Sequence, residues 1–212
     1  MRFASIILDV DSTLTSVEGI AWLATRRGRE VTDAVDAMTN DAMTGALPLD
    51  AVYAKRLSLV RPSRSDLAAL AGAYSTGLVP GARDAIRTLR AAGVHIALVS
   101  GGIREAILPF AAELGFPAGD VHAVELHFTP DGAFAGFDAA TPLACAGGKP
   151  RVARTLGLRG PVLAVGDGST DAELKPCVDA FAAFTGVARR ESVVAVADYV
   201  ITQFAELPAL VL

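Results

Sequence analysis

The stretch FASIILDVDSTL, residues 3–14, holds the strongest structural signal in this chain. Its first six residues form an apolar run, which predicts a buried strand. Asp9 and Asp11 follow where that strand ends. Ligands of open α/β sheets bind at the carboxyl ends of the strands, so the two carboxylates indicate a reactive site. A turn whose Asp, Ser and Thr side chains cap the next helix has the same local pattern, and the rest of the chain separates the two interpretations.

Apolar runs and helical patterns alternate over most of the chain. After residues 3–8, strands are predicted at His95–Val99, Val162–Val165, Ala180–Phe184 and Tyr199–Ile201. Helices are predicted between most of them, for example at Ala82–Ala92 and Ile103–Leu114. This alternation predicts an α/β fold with a parallel sheet and right-handed crossovers.

Two segments interrupt the alternation. Residues 16–76 contain no good strand but four helix-compatible blocks, which are Glu18–Thr25, Val31–Met43, Leu49–Val60 and Ser65–Ala73. We expect residues 16–76 to form a helical cap subdomain that covers Asp9 and Asp11, inserted into a core of residues 1–15 and 77–212. The turn sequence Thr129-Pro130-Asp131-Gly132 lies between apolar alternations and predicts a β-hairpin within Val124–Phe137.

The composition is that of an ordinary globular protein. The 212 residues carry a formal net charge of −4 and are 52% hydrophobic, which fits one globular unit. The arginines are scattered, so no nucleic-acid partner is expected, and no apolar stretch is long enough to cross a membrane. The N-terminus shows no secretory pattern, and Cys145 and Cys177 lack zinc or redox-pair spacing. We therefore expect a cytoplasmic protein with reduced thiols.

Polar residues follow three further predicted elements. They are Ser100-Gly101-Gly102, Lys149 after two glycines, and Gly166-Asp167-Gly168-Ser169-Thr170-Asp171. Taken one at a time, each fits a helix cap, a surface lysine or an acidic turn. Together with Asp9 and Asp11 they supply oxygen ligands suited to Mg²⁺, a hydroxyl and a lysine. That combination is typical of phosphoryl transfer, in which catalysis is mostly positioning and charge stabilisation.

These four motifs resemble the signatures of the haloacid dehalogenase-like phosphatases. Three flanking segments are similar to the phosphoserine-hydrolysing branch of that family, namely Val17-Glu18-Gly19-Ile20, Met43-Thr44-Gly45 and Arg56-Leu57-Ser58-Leu59. The resemblance extends from Phe3 to about Tyr199 and implies a Rossmann-like core with a small helical cap after the first strand. Thr170 departs from the family, which often has Asn there, and Ile103 replaces the usual Phe after Ser-Gly-Gly.

The resemblance also implies a role for each catalytic residue. Asp9 is expected to be the nucleophile that forms an aspartyl-phosphate, and Asp11 the general acid and base. Ser100 and the Gly101 N–H are expected to bind phosphate oxygens, while Lys149 offsets negative charge. Mg²⁺ is expected to be the cofactor, held by Asp9, the Asp11 carbonyl and Asp167, with Asp171 orienting this shell.

For the substrate, the resemblance indicates the ammonium and carboxylate of O-phospho-L-serine. Glu18 is expected to bind the ammonium and Arg56 the carboxylate, with Met43 on the apolar wall and the Thr170 oxygen near the site. Two alternatives stay open: another small phosphomonoester, or phosphoryl transfer to an alcohol such as homoserine instead of water. A binding module that has kept the fold without catalysis is a third interpretation, disfavoured because the expected nucleophile and metal ligands are present. The expected assembly is a monomer or homodimer.

Overall fold

A six-stranded sheet lies at the centre of the molecule, seen in a computed structural model that describes residues 1–44 and 49–212. Within these ranges the side chains are described except at residues 42–44 and 49–51. In chain order, the described strands are β1 (Ser5–Leu8), β2 (His95–Ile103), β3 (Val121–Val124), β4 (Leu126–Phe128), β5 (Phe134–Phe137), β6 (Val162–Gly166), β7 (Ala180–Phe184) and β8 (Tyr199–Ile201). The order in space is β3-β2-β1-β6-β7-β8, and every neighbouring pair is parallel. The predicted α/β fold with a parallel sheet is confirmed.

Helices connect the strands of this sheet. The described helices are α1 (Gly19–Thr25), α2 (Arg29–Thr44), α3 (Leu49–Val60), α4 (Arg64–Thr76), α5 (Ala82–Ala91), α6 (Arg104–Glu113), α7 (Gly148–Ala153), α8 (Ser169–Ala172), α9 (Glu191–Val194) and α10 (Leu207–Val211). Among them there is no helix with the length and apolar character needed to cross a membrane. Cys145 and Cys177 are free thiols.

The register of the sheet aligns the strand ends that the sequence analysis singled out. Leu8 at the end of β1 pairs with Leu98 of β2 on one side and with Val165 of β6 on the other. Asp9 therefore lies at the same edge of the sheet as the residues that follow Leu98 and Val165. From β1 the sheet continues through β2 and β3 on one side and through β6, β7 and β8 on the other, so the strand order changes direction at β1. Ligands of open α/β sheets usually bind at the carboxyl edge beside such a point.

Two local features differ from the sequence prediction. Strand β3 is four residues long and was missed, because such a short run carries little periodicity. The predicted helix start at Ile103 was wrong, since this residue ends β2 with extended backbone and pairs with Val124. Ile103 is fully buried there, and its β-branched side chain suits a strand. Strand β2 thus continues through Ser100-Gly101-Gly102 with a register shift.

Helices α1 to α4 lie between β1 and α5, as predicted. An antiparallel bridge between Thr15 and Leu78 joins the start and the end of this helical segment, residues 16–76. Leu23, Leu57 and Leu70 of this segment are fully buried. In α3 and α4 the apolar and polar residues are poorly separated on opposite faces of the helix. Burial of apolar side chains explains why these helices form nevertheless, since packing can override a weak amphipathic pattern.

The predicted hairpin is present as the antiparallel pair β4–β5. Gly132 in its turn has φ +85°, a left-handed conformation that favours glycine. The Arg64 N–H donates to the Gly132 carbonyl at 3.0 Å, and the Arg64 guanidinium lies 4.7 Å from the centre of the Phe128 ring. The hairpin therefore contacts the start of α4.

Asp66 holds together the first turn of α4 and two arginines that follow α1. Its side chain accepts from the Ser63 N–H at 3.0 Å as part of a capping box, from Arg26 at 3.1 Å and from Arg27 at 2.5 Å. Burial alone would raise the pKa of this carboxyl, but the Arg27 guanidinium and the Ser63 donors hold the pKa below its ordinary value. The charged form is therefore the stabilising one.

We expect Asp66→Asn to lower the free energy of unfolding by about 1–2 kcal/mol at pH 7, because a cap and two charge-assisted hydrogen bonds are lost. A carboxyl whose pKa is depressed by folding contributes stability above its unfolded pKa of about 4 and loses it as the pH falls. The stability difference between wild type and variant should therefore start to shrink below about pH 4 and continue to shrink as the pH falls toward the folded pKa, as followed by urea denaturation. Asp33→Asn is the matched control, because Asp33 pairs with Arg29 but is 70% exposed. Equal stability of wild type and Asp66→Asn at pH 7 would contradict this role.

Candidate active site

A cavity at the carboxyl edge of the sheet gathers all four predicted motifs. Its lining includes Asp9, Asp11, Ser100, Gly101, Lys149, Asp167, Thr170, Asp171, Glu18 and Arg56, together with Ser12, Tyr53, Gly102, Leu143, Cys145 and Arg190. Met43 is the one predicted site residue whose side chain falls outside the described residues. Core strand ends form the floor of the cavity. Glu18, the residue that caps α1, and Tyr53 and Arg56 of α3 line it from the helical segment.

Lys149 joins two carboxylates at the floor of the cavity. Its Nζ donates to Asp9 Oδ1 and to Asp171 Oδ1, each at 2.6 Å, and all three side chains are at most 7% exposed. Burial alone would lower the pKa of the Lys149 ammonium, but Asp171 and Asp9 outweigh burial and hold the pKa above its ordinary value. Lys149 is thus a permanent cation between two acids.

The Asp171 carboxyl lies against Gly166, the last residue of β6. Burial, followed by repulsion from Asp9, raises the pKa of the Asp171 carboxyl to about 7, although Lys149 opposes the shift. Its Oδ2 accepts from the Gly168 N–H at 3.0 Å. A Cβ at Gly166 would lie 2.1 Å from Asp171 Cγ, so only glycine leaves room for this approach.

Asp167 is held from two sides. Its Oδ1 accepts from the Thr13 hydroxyl at 2.9 Å, and its Oδ2 forms an ion pair with Arg190. Arg190 was missed by the sequence analysis. It lies in a loop just before α9 without a motif around it, so no local signal placed this guanidinium at the site.

Three carboxylates form a cluster that suits a metal ion. Ligand oxygens of Asp9, Asp167 and Asp171 lie within 4.8 Å of one another, and all three residues are buried. Hard oxygen donors of this kind are the ligands that Mg²⁺ takes in phosphoryl-transfer sites. The Asp11 carboxylate is not among the three, and its predicted contribution through the backbone carbonyl stays a prediction.

The Asp11 carboxyl is in a different environment from Asp9. Burial, then repulsion from Glu18 and Asp9, raises its pKa to about 8. Its Oδ1 is buried and has no hydrogen-bond partner among the residues that the structure describes. A Cβ at Gly102 would lie 2.8 Å from Asp11 Oδ2, so a side chain there would displace this carboxyl from its position against β2. At neutral pH the raised pKa favours the protonated form, which can donate a proton.

Ser100 and the two following glycines belong to the last part of β2 and line the cavity with Asp9 and Asp11. The Gly102 N–H donates to Ser100 Oγ at 2.9 Å. Because the hydroxyl oxygen accepts this bond, the hydroxyl hydrogen can be donated to another group. Ser100 is 1% exposed, and Ser100 and Gly101 both line the cavity, as predicted for a phosphate-binding loop.

Arg56 is a buried cation above the carboxylates. It is 1% exposed, and its Nη1 donates to the Thr39 hydroxyl at 3.0 Å and lies 3.5 Å from Glu18 Oε1. Its Nε has no partner among the described residues. Glu18 Oε2 accepts from the Ala21 N–H at 2.7 Å, so this residue also caps α1. A guanidinium with a donor to spare and a neighbouring carboxylate can bind a zwitterionic amino acid.

Comparisons with known proteins agree with this geometry. The haloacid dehalogenase-like hydrolase model matches residues 6–176. The chain is 39% identical to a phosphoserine phosphatase of Bos taurus, over 96% of this chain and 91% of that protein. It is 37% identical to a chloroplastic phosphoserine phosphatase of Arabidopsis thaliana, over 96% and 70% of the two chains. The crystal structure of a phosphoserine phosphohydrolase-like protein from Francisella tularensis superposes with a TM-score of 0.90 at 29% identity, covering 98% of this chain and 99% of that one.

Proposed function

The chain belongs to the haloacid dehalogenase-like hydrolases and, within them, to the phosphoserine phosphatases, and from this membership we propose that it hydrolyses O-phospho-L-serine to L-serine and phosphate. It is a phosphoric monoester hydrolase. The observation that best supports the substrate is the buried Arg56, whose Nε lacks a partner among the described residues, in the same cavity as Asp9.

Arg56 and Glu18 match the two charged groups that distinguish phosphoserine from other small phosphoesters. The guanidinium binds the carboxylate of the substrate, and the Glu18 carboxylate binds its ammonium. Both side chains are nearly buried, at 2% and 19% exposure, so these contacts form away from bulk water and are strong. An ester without the amino-acid part leaves Arg56 without its anion.

Asp9 carries out the first chemical step. Its carboxylate attacks the phosphorus in line, a P–O bond to Asp9 forms, and the bond to the serine oxygen breaks. The raised pKa of Asp11 favours the protonated form at neutral pH, and this carboxyl gives its proton to the departing alkoxide, so that the serine hydroxyl is restored. Lys149, at 2.6 Å from Asp9, offsets the charge that repels the phosphate from the carboxylate.

The second step returns the enzyme to its starting state. Asp11, now a carboxylate, takes a proton from a water molecule, which attacks the aspartyl-phosphate and releases phosphate and Asp9. Ser100 donates its hydroxyl hydrogen to a phosphate oxygen, and the Gly101 N–H binds another. Thr170, which lines the cavity and is 9% exposed, places a side-chain oxygen near the phosphate.

Asp9, Asp167 and Asp171, with the Asp11 carbonyl, are proposed to hold Mg²⁺. Their clustered oxygens support this assignment, and burial of three acids with Lys149 and Arg190 still leaves negative charge that a divalent cation would balance. The bound ion would supply charge neutralisation at the phosphoryl group.

Residues 16–76 are proposed to act as a cap over the site. The supporting observations are that Glu18 and Arg56 come from this segment, and that it leaves and rejoins the remaining chain at the Thr15–Leu78 bridge. A segment whose two chain connections lie side by side can move as a unit, which would let substrate in and then exclude water.

The test is phosphate release from L-phosphoserine at neutral pH, beside a panel of small phosphomonoesters and with homoserine as an alternative acceptor. We expect a kcat/KM for phosphoserine at least about 100-fold above the panel, since two charged contacts are lost with each of the other esters. EDTA should abolish turnover and MgCl₂ should restore it. A flat substrate profile, transfer to homoserine in preference to water, or full activity in EDTA would each overturn the corresponding part of the proposal.

A further inference from the structure

Tyr53 connects helix α3 to the part of β2 that is proposed to bind phosphate. Its hydroxyl donates to the Gly101 carbonyl at 2.9 Å, across 48 residues of sequence. The residue is 1% exposed and lines the same cavity as Asp9. None of the chemistry proposed above uses this hydroxyl, so its position at the site needs a separate explanation.

The Gly101–Gly102 peptide is held at both of its polar ends. Tyr53 binds its carbonyl oxygen, and its N–H donates to Ser100 Oγ at 2.9 Å. A peptide is planar, so a rotation that moves the carbonyl also moves the N–H. The Tyr53 hydroxyl therefore restricts the direction from which Ser100 Oγ accepts its hydrogen bond, and with it the direction in which the Ser100 hydroxyl can donate.

The Tyr53 ring is positioned from two further sides. The Arg56 guanidinium lies 5.6 Å from the ring centre, and the Phe137 ring packs edge-on at 5.4 Å with an interplanar angle of 63°. Phe137 belongs to the hairpin, and Arg56 is the residue assigned to the substrate carboxylate. Burial raises the pKa of the Tyr53 hydroxyl, so it remains a hydrogen-bond donor at any working pH.

We propose that Tyr53 is a positioning residue that couples the seating of α3 over the substrate to the orientation of the Ser100 hydroxyl toward the phosphate. This inference rests on the proposed function. Binding of the amino-acid part by Arg56 and Glu18 holds α3 in place, α3 holds Tyr53, and Tyr53 fixes the peptide that orients Ser100. Binding energy from the part of the substrate that does not react is thereby used at the phosphate.

Tyr53→Phe removes the hydroxyl and keeps the ring contacts with Arg56 and Phe137. We expect kcat for phosphoserine to fall about five- to tenfold, the effect of one buried hydrogen bond, with KM changing less than about twofold. Hydrolysis of p-nitrophenyl phosphate should change less than about twofold, because this ester has no amino-acid part to hold α3. Tyr199→Phe, the same change on the distant strand β8, is the matched control and should leave both activities unchanged.

A double-mutant cycle separates positioning from general support of the fold. In a Ser100→Ala background, Tyr53→Phe should lower the remaining kcat by less than about twofold, since its route through the Ser100 hydroxyl is gone. Equal losses in both backgrounds, equal losses on both substrates, or unchanged phosphoserine kinetics would overturn the inference. The wild-type substrate profile tests the proposed function. The losses in kcat caused by Tyr53→Phe, compared between the two backgrounds and the two substrates, test the role of Tyr53, so the proposed function and this inference can fail separately.

Discussion

We expect Asp9→Asn to lower kcat for phosphoserine by at least about 10⁴-fold, because the amide is not a nucleophile toward phosphorus and no aspartyl-phosphate can form. The variant should fold normally. Lys149 keeps Asp171 as a partner at 2.6 Å, and the repulsion between the two acids disappears. The measurements are steady-state phosphate release, the thermal midpoint, and acid quenching with labelled phosphoserine, which traps a hydroxylamine-sensitive phosphoenzyme only in the wild type.

Asp84→Asn is the control for this substitution. Asp84 is exposed on α5, pairs with Arg87 at 2.8 Å and does not line the cavity, so its activity should equal that of the wild type. Residual activity of Asp9→Asn above about 1%, in protein shown by mass to be free of deamidated Asn, would assign the nucleophile to another residue.

We expect Arg56→Ala to raise KM for phosphoserine about 100-fold and to change kcat/KM for p-nitrophenyl phosphate less than about threefold, because the substrate contacts that are lost are those to the carboxylate of phosphoserine. Truncation also leaves Glu18 without its cation at 3.5 Å, so the thermal midpoint is measured in parallel. Arg56→Lys keeps the charge but not the planar fork, and should still raise KM about tenfold or more.

Lys55→Ala is the matched control, because Lys55 precedes Arg56 on α3 and is exposed. It should leave both substrates unaffected. An Arg56→Lys enzyme with a wild-type KM for phosphoserine, or equal losses on both esters in a folded Arg56→Ala enzyme, would remove Arg56 from substrate recognition.

Much of the fold could be predicted because it depends on patterns that are local in the chain. Strands β1 and β6 lie in largely apolar runs, a pattern typical of strands that are covered on both faces of the sheet. The four helices of residues 16–76 were predicted from their boundary residues, and the hairpin from its Pro-Asp-Gly turn. Strand β3 and the continuation of β2 through Ser100 could not be predicted in this way, since their pairing depends on a neighbouring strand rather than on their own periodicity.

The sequence by itself determined which residue types lie at the strand ends, because a carboxylate or turn residue that follows an apolar run is visible within a few neighbouring residues. Only the tertiary structure decided which distant segments are in contact, through the register of the sheet and the position of α3 over the site. Lys149 meets Asp9 across 140 residues, and Tyr53 meets Gly101 across 48. The raised pKa of Asp11 and the ion pair of Arg190 with Asp167 are likewise products of burial and proximity. No sequence pattern encodes them, because desolvation and charge interactions are set by what the folded chain brings within a few ångströms.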